Sequence, residues 1–189
     1  MRFELLNISQ LLSLSVDEST EKLYLLRMID EIDTTILKIL QENSRTSNAE
    51  IARQVGLAPS AVFERIRKLE ERKVILGYHA EIHPKAVGLG QLAFTFVRSN
   101  DRVGGVDTAA RLAEIPEVLE VHHVAGEDCF LVKARTTDAE SLGRLLREKL
   151  GSIPTITSTR TTIVLEVVKE TAMLPVVAVE DDEEEAASA

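Results

Sequence analysis

Two short amphipathic helices joined by a turn of three residues are predicted by the segment SNAEIARQVGLAPSAVFERIRKLEERKVI at residues 47–75, with the turn at 56–58. So short a connection makes the helices pack across each other, which is the arrangement of a helix-turn-helix. Pro59 suits the first position of the second helix because its φ angle is fixed and it has no N–H to satisfy. The apolar residues of both helices recur at helical spacing: Ile51, Ala52, Val55, Val62, Ile66 and Leu69, with Phe63 at the edge of the second stripe.

The flanking residues support this prediction. Ser47 and Glu50 form the S-x-x-E pattern of a capping box, in which each side chain satisfies the backbone amide of the other residue. The preceding segment, 32–43, has apolar residues at helical spacing and supplies a third helix for the bundle. Residues 77–84, GYHAEIHP, are strand-like, so the stretch 77–90 is predicted to form a wing or a linker strand.

The polar face of the second helix is rich in cations, which favours an interaction with DNA. Its members are Ser60, Ala61, Glu64, Arg65, Arg67 and Lys68. The simpler alternative is a solvated face with an ordinary i,i+4 ion pair between Glu64 and Lys68. The complete three-helix context favours DNA over that alternative, because the second helix of such a motif enters the major groove.

The net charge of −9 opposes nucleic-acid binding only when it is averaged over the chain. Residues 28–78 contain eight acids and eight bases, and five of these bases lie between residues 65 and 73. Local cation density matters more than the total, because counterion release depends on cations that reach phosphates. Residues 170–189 contain seven acids and no base, which predicts a solvated, disordered acidic tail.

The composition argues against several other classes of protein. There is no run of about 18 apolar residues and no signal peptide pattern, so neither a membrane partner nor export is expected and a cytoplasmic location is predicted. A single cysteine, Cys129, excludes an internal disulfide. The four histidines do not fall at zinc-ligand spacing with it, so no metal or cofactor is expected.

The second half of the chain has the element order β-α-β-β-α-β of a ferredoxin-like domain. The predicted strands are 91–98, 118–124, 130–135 and 156–168, and the predicted helices are 106–115 and 138–150. A sheet with both helices on one face leaves its other face uncovered, and a second copy of the chain is the expected cover. The predicted domains are therefore an extension at 1–27, a helix-turn-helix domain at 28–76, a linker strand at 77–90, a ferredoxin-like domain at 91–169 and the tail at 170–189.

From about Met28 to Lys169 the chain resembles the Lrp/AsnC family of prokaryotic transcription regulators, also called feast/famine regulators. The likeness is carried by long ordered blocks, IDEIDTTILKILQENSRTSNAEIARQVGLAPSAVFERIRKLEERKVILGYHA, PEVLEVHHVAG and STRTTIVLEVVKE. The resemblance implies an α+β protein with an N-terminal winged-type helix-turn-helix domain followed by a ferredoxin-like βαββαβ domain. It also implies a non-enzymatic DNA-binding regulator that forms dimers and often octamers and binds an amino acid or related metabolite between subunits.

The DNA contacts expected from this reading divide into two groups. Base edges would be approached by Ser60, Ala61, Glu64, Arg65 and Lys68. Phosphates would be approached by Arg67, Arg72 and the amide end of the first helix at Ser47 and Asn48. Arginine binds guanine through two hydrogen bonds, and Glu64 would accept a hydrogen bond from cytosine N4.

The chain departs from the family pattern at several positions. Relatives usually have Ser at the position of Ala58 and Gly at the position of Lys73. In the loop GEDCF at residues 126–130, Cys129 replaces the family's Asp, and Asp128 lies one place earlier. The effector pocket is predicted from His123, Gly126, Asp128, Cys129 and Thr162, the alternative being a plain hairpin turn with a packed cysteine.

Two other functions remain open at this stage. A siroheme/haem decarboxylase-like enzyme built on the same domains would draw on His122 and His123. A metabolite sensor acting without DNA would use the second domain alone. The intact basic helix favours the regulator over both.

Overall fold

The computed structural model describes residues 29–101, 107–126 and 129–177. These residues belong to two compact units, one formed by residues 29–79 with 171–177 and the other by residues 80–170. Within the described part of the chain, no helix is long and apolar enough to span a membrane. The predicted extension at 1–27, residues 178–189 of the acidic tail, and Asp128 lie outside the described residues.

Three helices form the first unit: α1 (Glu31–Glu42), α2 (Asn48–Val55) and α3 (Pro59–Glu71). The Asp30 carboxylate caps α1 by accepting a hydrogen bond from the Asp33 backbone N–H at 2.7 Å. The inward stripes predicted from the sequence meet in one small core, whose buried members are Ile36, Ile51, Ala52 and Val62. The three-helix prediction is therefore confirmed.

The predicted linker strand at 77–90 is wrong. This stretch contains only a short 3-10 turn, Pro84–Val87, which ends at Gly88 in the left-handed region at φ 80°. A strand must pair its backbone groups with a neighbour, and residues 29–79 contain no strand that could supply one. The wing implied by the resemblance is accordingly not formed as a hairpin after α3.

The second unit is a four-stranded antiparallel sheet with two helical segments. Its elements are β1 (Gln91–Ser99), α4 (Asp107–Ala113), β2 (Val118–His123), β3 (Phe130–Thr136), α5 (Ala139–Arg144) and β4 (Ile156–Ile163). The strand order β2-β3-β1-β4 is that of the predicted ferredoxin-like fold. Buried side chains of β1 and β3 pack with Leu112 of α4 and Leu142 of α5 into one core, so both helices cover the same face of the sheet.

The end of the last strand differs from the prediction. We expected β4 to continue to residue 168, but it stops at Ile163. Ile163 pairs with Ala93, close to the start of β1 at Gln91, so residues beyond it soon run past the end of the partner strand. Without a partner strand, the β-branched residues that follow do not form a ladder.

Two further local features were not visible in the sequence. The helix predicted at 138–150 changes after Arg144 into a π-helical turn, Leu145–Leu150, so its buried residues are Leu142, Leu145 and Leu150, while Leu146 is only partly buried. The pairing of β2 with β3 shifts between Val118 and Glu120. Because of this shift, Val118 and Val121 both pack toward the core, although a regular strand would place them on opposite faces.

The first residues of the acidic segment make defined contacts. The Gln41 side-chain amide of α1 donates to the carbonyl of Leu174 at 3.1 Å and accepts from its N–H at 2.7 Å. In the second unit, the Glu170 carboxylate accepts from Arg135 at 2.6 Å. The prediction of a solvated tail from residue 170 did not include these contacts.

Candidate nucleic-acid interface

The turn between α2 and α3 presents α3 as a recognition helix. Gly56 adopts the left-handed conformation at φ 69°, which ends α2 at little steric cost, and the Leu57 N–H donates to the Ala52 carbonyl at 3.0 Å. Pro59 starts α3 as predicted. Val62 and Leu69 are buried, so the opposite face of α3 is free to enter a DNA major groove, which is wide enough to admit an α-helix.

The start of α2 is capped on one side only. The Ser47 hydroxyl accepts a hydrogen bond from the Glu50 N–H at 3.2 Å, as a capping box requires. The Glu50 carboxylate does not return to the Ser47 amide; it contacts the side chains of Arg53 and Gln54 instead. The predicted reciprocal box is therefore wrong in this half, because a side-chain guanidinium one turn along the helix outcompetes the backbone amide. Ser47 is exposed and Asn48 is half-buried, so both can be reached by a phosphate at this end of the helix.

Arg65 is turned toward α1. Its Nη1 donates to Asp30 Oδ2 at 2.7 Å and to Asp33 Oδ1 at 2.8 Å. The hydrogen bonds to Asp33 and Asp30 raise the pKa of Arg65. Partial burial raises the pKa of Asp30, but hydrogen bonds from the Asp33 N–H and from Arg65 outweigh it and lower that pKa overall. The sequence analysis counted these two aspartates only toward the net charge of residues 28–78. Acidic residues around the start of a helix can nevertheless be recognised in a sequence as a typical feature of helix N-termini.

Glu64 and Arg67 form an ion pair on the exposed side of α3. Arg67 Nε donates to Glu64 Oε2 at 3.1 Å, and the guanidinium also contacts the Glu71 carboxylate. These contacts raise the pKa of Arg67, and the hydrogen bond to Glu64 makes the largest contribution. The alternative that paired Glu64 with Lys68 is wrong, since the carboxylate is taken by Arg67.

Two available cations lie at the end of α3, Lys68 in its last turn and Arg72 at its C-cap. Both are exposed, and neither forms an ion pair with another residue in the described part of the chain. They line an open depression of about 390 Å³, together with Asp30, Asp33 and Arg65. Ser60 is exposed and Ala61 half-buried on the same helix. These side chains can approach bases or phosphates without breaking an existing ion pair.

The beginning of α3 lacks a side-chain cap. Ala58 occupies the N-cap position and makes no capping hydrogen bond. We expect Ala58→Ser to stabilise the first unit by about 1 kcal/mol, because a hydroxyl would satisfy a free amide of the first turn. For so small a unit this corresponds to a rise of roughly 4–8 °C in its melting temperature, measured by circular dichroism. Ala49→Ser, in the exposed first turn of α2, is the matched control, and an equal rise there would contradict the assignment.

The end of α3 is strained at one residue. Lys73 has φ 60°, so it adopts the left-handed conformation that favours glycine. A residue with a side chain is less stable than glycine in this conformation by roughly 1–2 kcal/mol. Glycine offsets part of this advantage, because it gives the unfolded chain more conformational freedom. Lys73→Gly should therefore raise the stability of the first unit, by about 0.5–1 kcal/mol in urea unfolding. A decrease would show that the Lys73 side chain makes a stabilising contact.

The predicted effector residues are only partly brought together. His123 stacks on Phe130, with ring centroids 5.1 Å apart, and the Cys129 thiol lies 3.6 Å from the Ser99 carbonyl oxygen. Gly126 is exposed with φ 135°. Thr162 lies elsewhere, on β4, where it pairs with Phe94 of β1. This strand is at the edge of the sheet opposite to β2. One chain therefore does not place Thr162 beside the loop.

The two adjacent histidines do not converge. His123 packs on the core residue Phe130, whereas the His122 ring nitrogen lies 3.1 Å from Glu120 on the other face of the sheet. Among the described residues, no cluster of three or more His, Cys, Asp or Glu side chains could hold a metal ion. This geometry gives the enzyme alternative no pair of histidines to act together.

Comparisons with known proteins follow the same division of the chain. A family model described as the AsnC-type helix-turn-helix domain matches residues 29–70, and one described as the Lrp/AsnC ligand binding domain matches residues 92–174. The HTH-type transcriptional regulator FL11 of Pyrococcus horikoshii is 42% identical over 149 residues, which cover 78% of this chain and 97% of the relative. The leucine-responsive regulatory protein of Salmonella typhimurium is 35% identical over 148 residues, or 77% and 90% of the two chains.

Solved structures give the same picture. The transcriptional regulator NMB0573 of Neisseria meningitidis, in complex with L-Met, aligns with a TM-score of 0.72 and 33% identity over 77% of this chain and 96% of that one. The feast or famine regulatory protein Rv3291c of M. tuberculosis, complexed with L-methionine, aligns with a TM-score of 0.71 and 34% identity over 77% and 98%.

Proposed function

This chain belongs to the Lrp/AsnC family of DNA-binding transcription regulators, and from that premise we propose that it acts in the cytoplasm as a homo-oligomer whose DNA binding is modulated by an amino acid or related metabolite. It recognises a specific DNA sequence through α3 in the major groove. The observation that carries the DNA part of the proposal is the exposure of two cations at the end of α3, Lys68 and the C-cap residue Arg72, neither of which has an ion pair within the described residues. They give a chain of net charge −9 a local site for phosphates and base edges.

The open face of the sheet supports the proposal of an oligomer. Phe94, Phe96 and Leu131 lie on the face that α4 and α5 leave uncovered, and each is only partly buried. The Arg160 guanidinium covers the Phe96 ring at 4.2 Å from its centroid. A second copy packed against this face would remove these aromatic rings from water. A monomer in sedimentation at micromolar concentration would contradict the proposal.

The effector part of the proposal combines the loop with a second chain. Two similar proteins are described as complexes with methionine. In one chain Thr162 is separated from His123 by the width of the sheet, and Cys129 contacts Val97 and Ser99 at the end of β1 opposite to the Phe94 partner of Thr162. A pocket that uses all the predicted residues, Gly126 and Asp128 included, therefore requires a neighbouring subunit. Such a pocket would couple occupancy to assembly, since the ligand would bind only the associated form.

DNase footprinting on the DNA upstream of the protein's own gene tests the proposal, across a salt series, with and without a pool of amino acids that includes methionine. Protection that repeats about every 10 base pairs and shifts with the pool is the expected result. Protection that ignores the pool would remove the effector and keep the regulator. Absence of protection at every salt concentration would overturn the DNA-binding role.

A further inference from the structure

The Arg65 side chain forms the main polar link between α3 and α1. One guanidinium nitrogen donates to Asp30 and to Asp33, and the Asp33 side chain is only 10% exposed. We propose that Arg65 is a positioning residue, which fixes the angle of α3 against α1, and that it does not read a base. On this proposal, direct base reading falls to Ser60, Ala61 and Lys68. The inference rests on the proposed DNA binding and changes the role that the sequence predicted for Arg65.

The cost of releasing Arg65 supports a positioning role. To reach a guanine, the guanidinium would break two charge-assisted hydrogen bonds, which are stronger than neutral ones. It would also leave Asp33 as a nearly buried carboxylate without a countercharge, a situation far more costly than the loss of a surface ion pair. Lys68 pays no such cost, because it has no ion pair within the described residues.

The position of the carboxylates supports the same role. Asp30 and Asp33 line the depression that also contains Lys68 and Arg72. If Arg65 swung away, two uncompensated carboxylates would remain beside the surface that is proposed to approach phosphates, and like charges repel at this range. While Arg65 stays in place, it screens the two acids and leaves the outward cations of α3 to face DNA.

A double-mutant cycle with a base-preference readout tests the inference. The variants are Arg65→Gln, Asp33→Asn, the combination of both, and Lys68→Ala, each selected against a randomised DNA duplex library. Affinity for the wild-type consensus is then measured by fluorescence anisotropy. Arg65→Gln should weaken binding to all sequences by roughly tenfold or more, through the unpaired Asp33. The preferred bases should stay those of the wild type, whereas Lys68→Ala should relax the preference at one position.

The double variant gives the sharpest contrast. Asp33→Asn with Arg65→Gln removes the unpaired carboxylate and leaves two amides that can hydrogen-bond, so it should recover affinity relative to Arg65→Gln alone. If Arg65 reads a base, the double variant will bind no better than Arg65→Gln, and the selected consensus will change in both. Either of those results overturns the inference.

Two controls keep the outcomes distinct. Arg67→Gln removes a neighbouring arginine whose partners are both exposed, and it should show no such recovery when combined with Glu64→Gln. Circular dichroism melts restrict the comparison to temperatures at which every variant is folded. Failure of the wild type to select any sequence would count against the proposed function, whereas a shifted consensus in Arg65→Gln with normal wild-type selection would count against this inference alone.

Discussion

Ile51→Ala is expected to unfold the DNA-binding unit at temperatures at which the sheet unit stays folded. Ile51 is completely buried in a core with few other buried members, so its truncation leaves a cavity that costs about 2–5 kcal/mol. A unit of this size has a total stability of roughly 3–8 kcal/mol, so the loss is comparable to the whole. Thermal unfolding by circular dichroism should show a separate early transition, and DNA binding at 37 °C should be lost.

The sheet unit provides the internal reference for this experiment. Sedimentation of Ile51→Ala should give the same oligomeric state as the wild type, because the open sheet face is untouched by the substitution. Leu76→Ala is the matched control: this side chain is 86% exposed in the same unit, and its truncation should change stability by less than about 0.5 kcal/mol. A single transition in which both units melt together would contradict their independent stability.

Lys68→Ala combined with Arg72→Ala is expected to lower DNA affinity about a hundredfold at low salt. Lys68 in α3 and Arg72 at its C-cap are exposed cations with no ion pair in the described residues, so their removal deletes contacts without leaving a carboxylate unpaired. Each lost contact of this kind costs roughly 1–3 kcal/mol, and each lost phosphate contact lowers the salt slope by about one. Fluorescence anisotropy over a salt range of roughly 50 to 300 mM measures both the affinity and its dependence on salt concentration.

The control for this prediction removes the same charge from the other unit. Lys85→Ala with Arg111→Ala neutralises two exposed cations of residues 80–170 and should leave both affinity and salt slope close to the wild type. Equal losses in the two double variants would mean that net charge governs binding. In that case α3 would not be the element in contact with DNA.

Much of the fold could be predicted because its signals are local. The stripe of Ile51, Val62 and Leu69, the turn at Gly56 and the proline at position 59 all act within one or two helical turns, and the helix bounds follow from them. The order of the strands and helices along the chain also followed, since β-branched runs alternate with helical stripes. Predictions failed where pairing depends on distant residues, as at the linker 77–90 and at the end of β4.

The candidate site was predicted only as a set of residue types. The sequence indicated a cation-rich face on α3, and Lys68 of α3 and the C-cap residue Arg72 are indeed exposed. It could not indicate that Arg65 binds Asp30 and Asp33, more than thirty positions earlier, because that pairing depends on how α1 crosses α3. The prediction also grouped Thr162 with His123, although the strand order of the predicted ferredoxin-like fold places their strands, β4 and β2, at opposite edges of the sheet.

By itself, then, the sequence determined the helices, the strands, their order along the chain and the face of α3 that carries charge, because hydrophobic period, caps and turns act over a few residues. Only the tertiary structure decided which of those charges remain available to a partner. Arg67 pairs with Glu64 and Glu71 of its own helix, but Arg65 pairs with Asp30 and Asp33 because the fold brings the start of α1 within a few ångströms of α3. Lys68 and Arg72 are left as exposed cations.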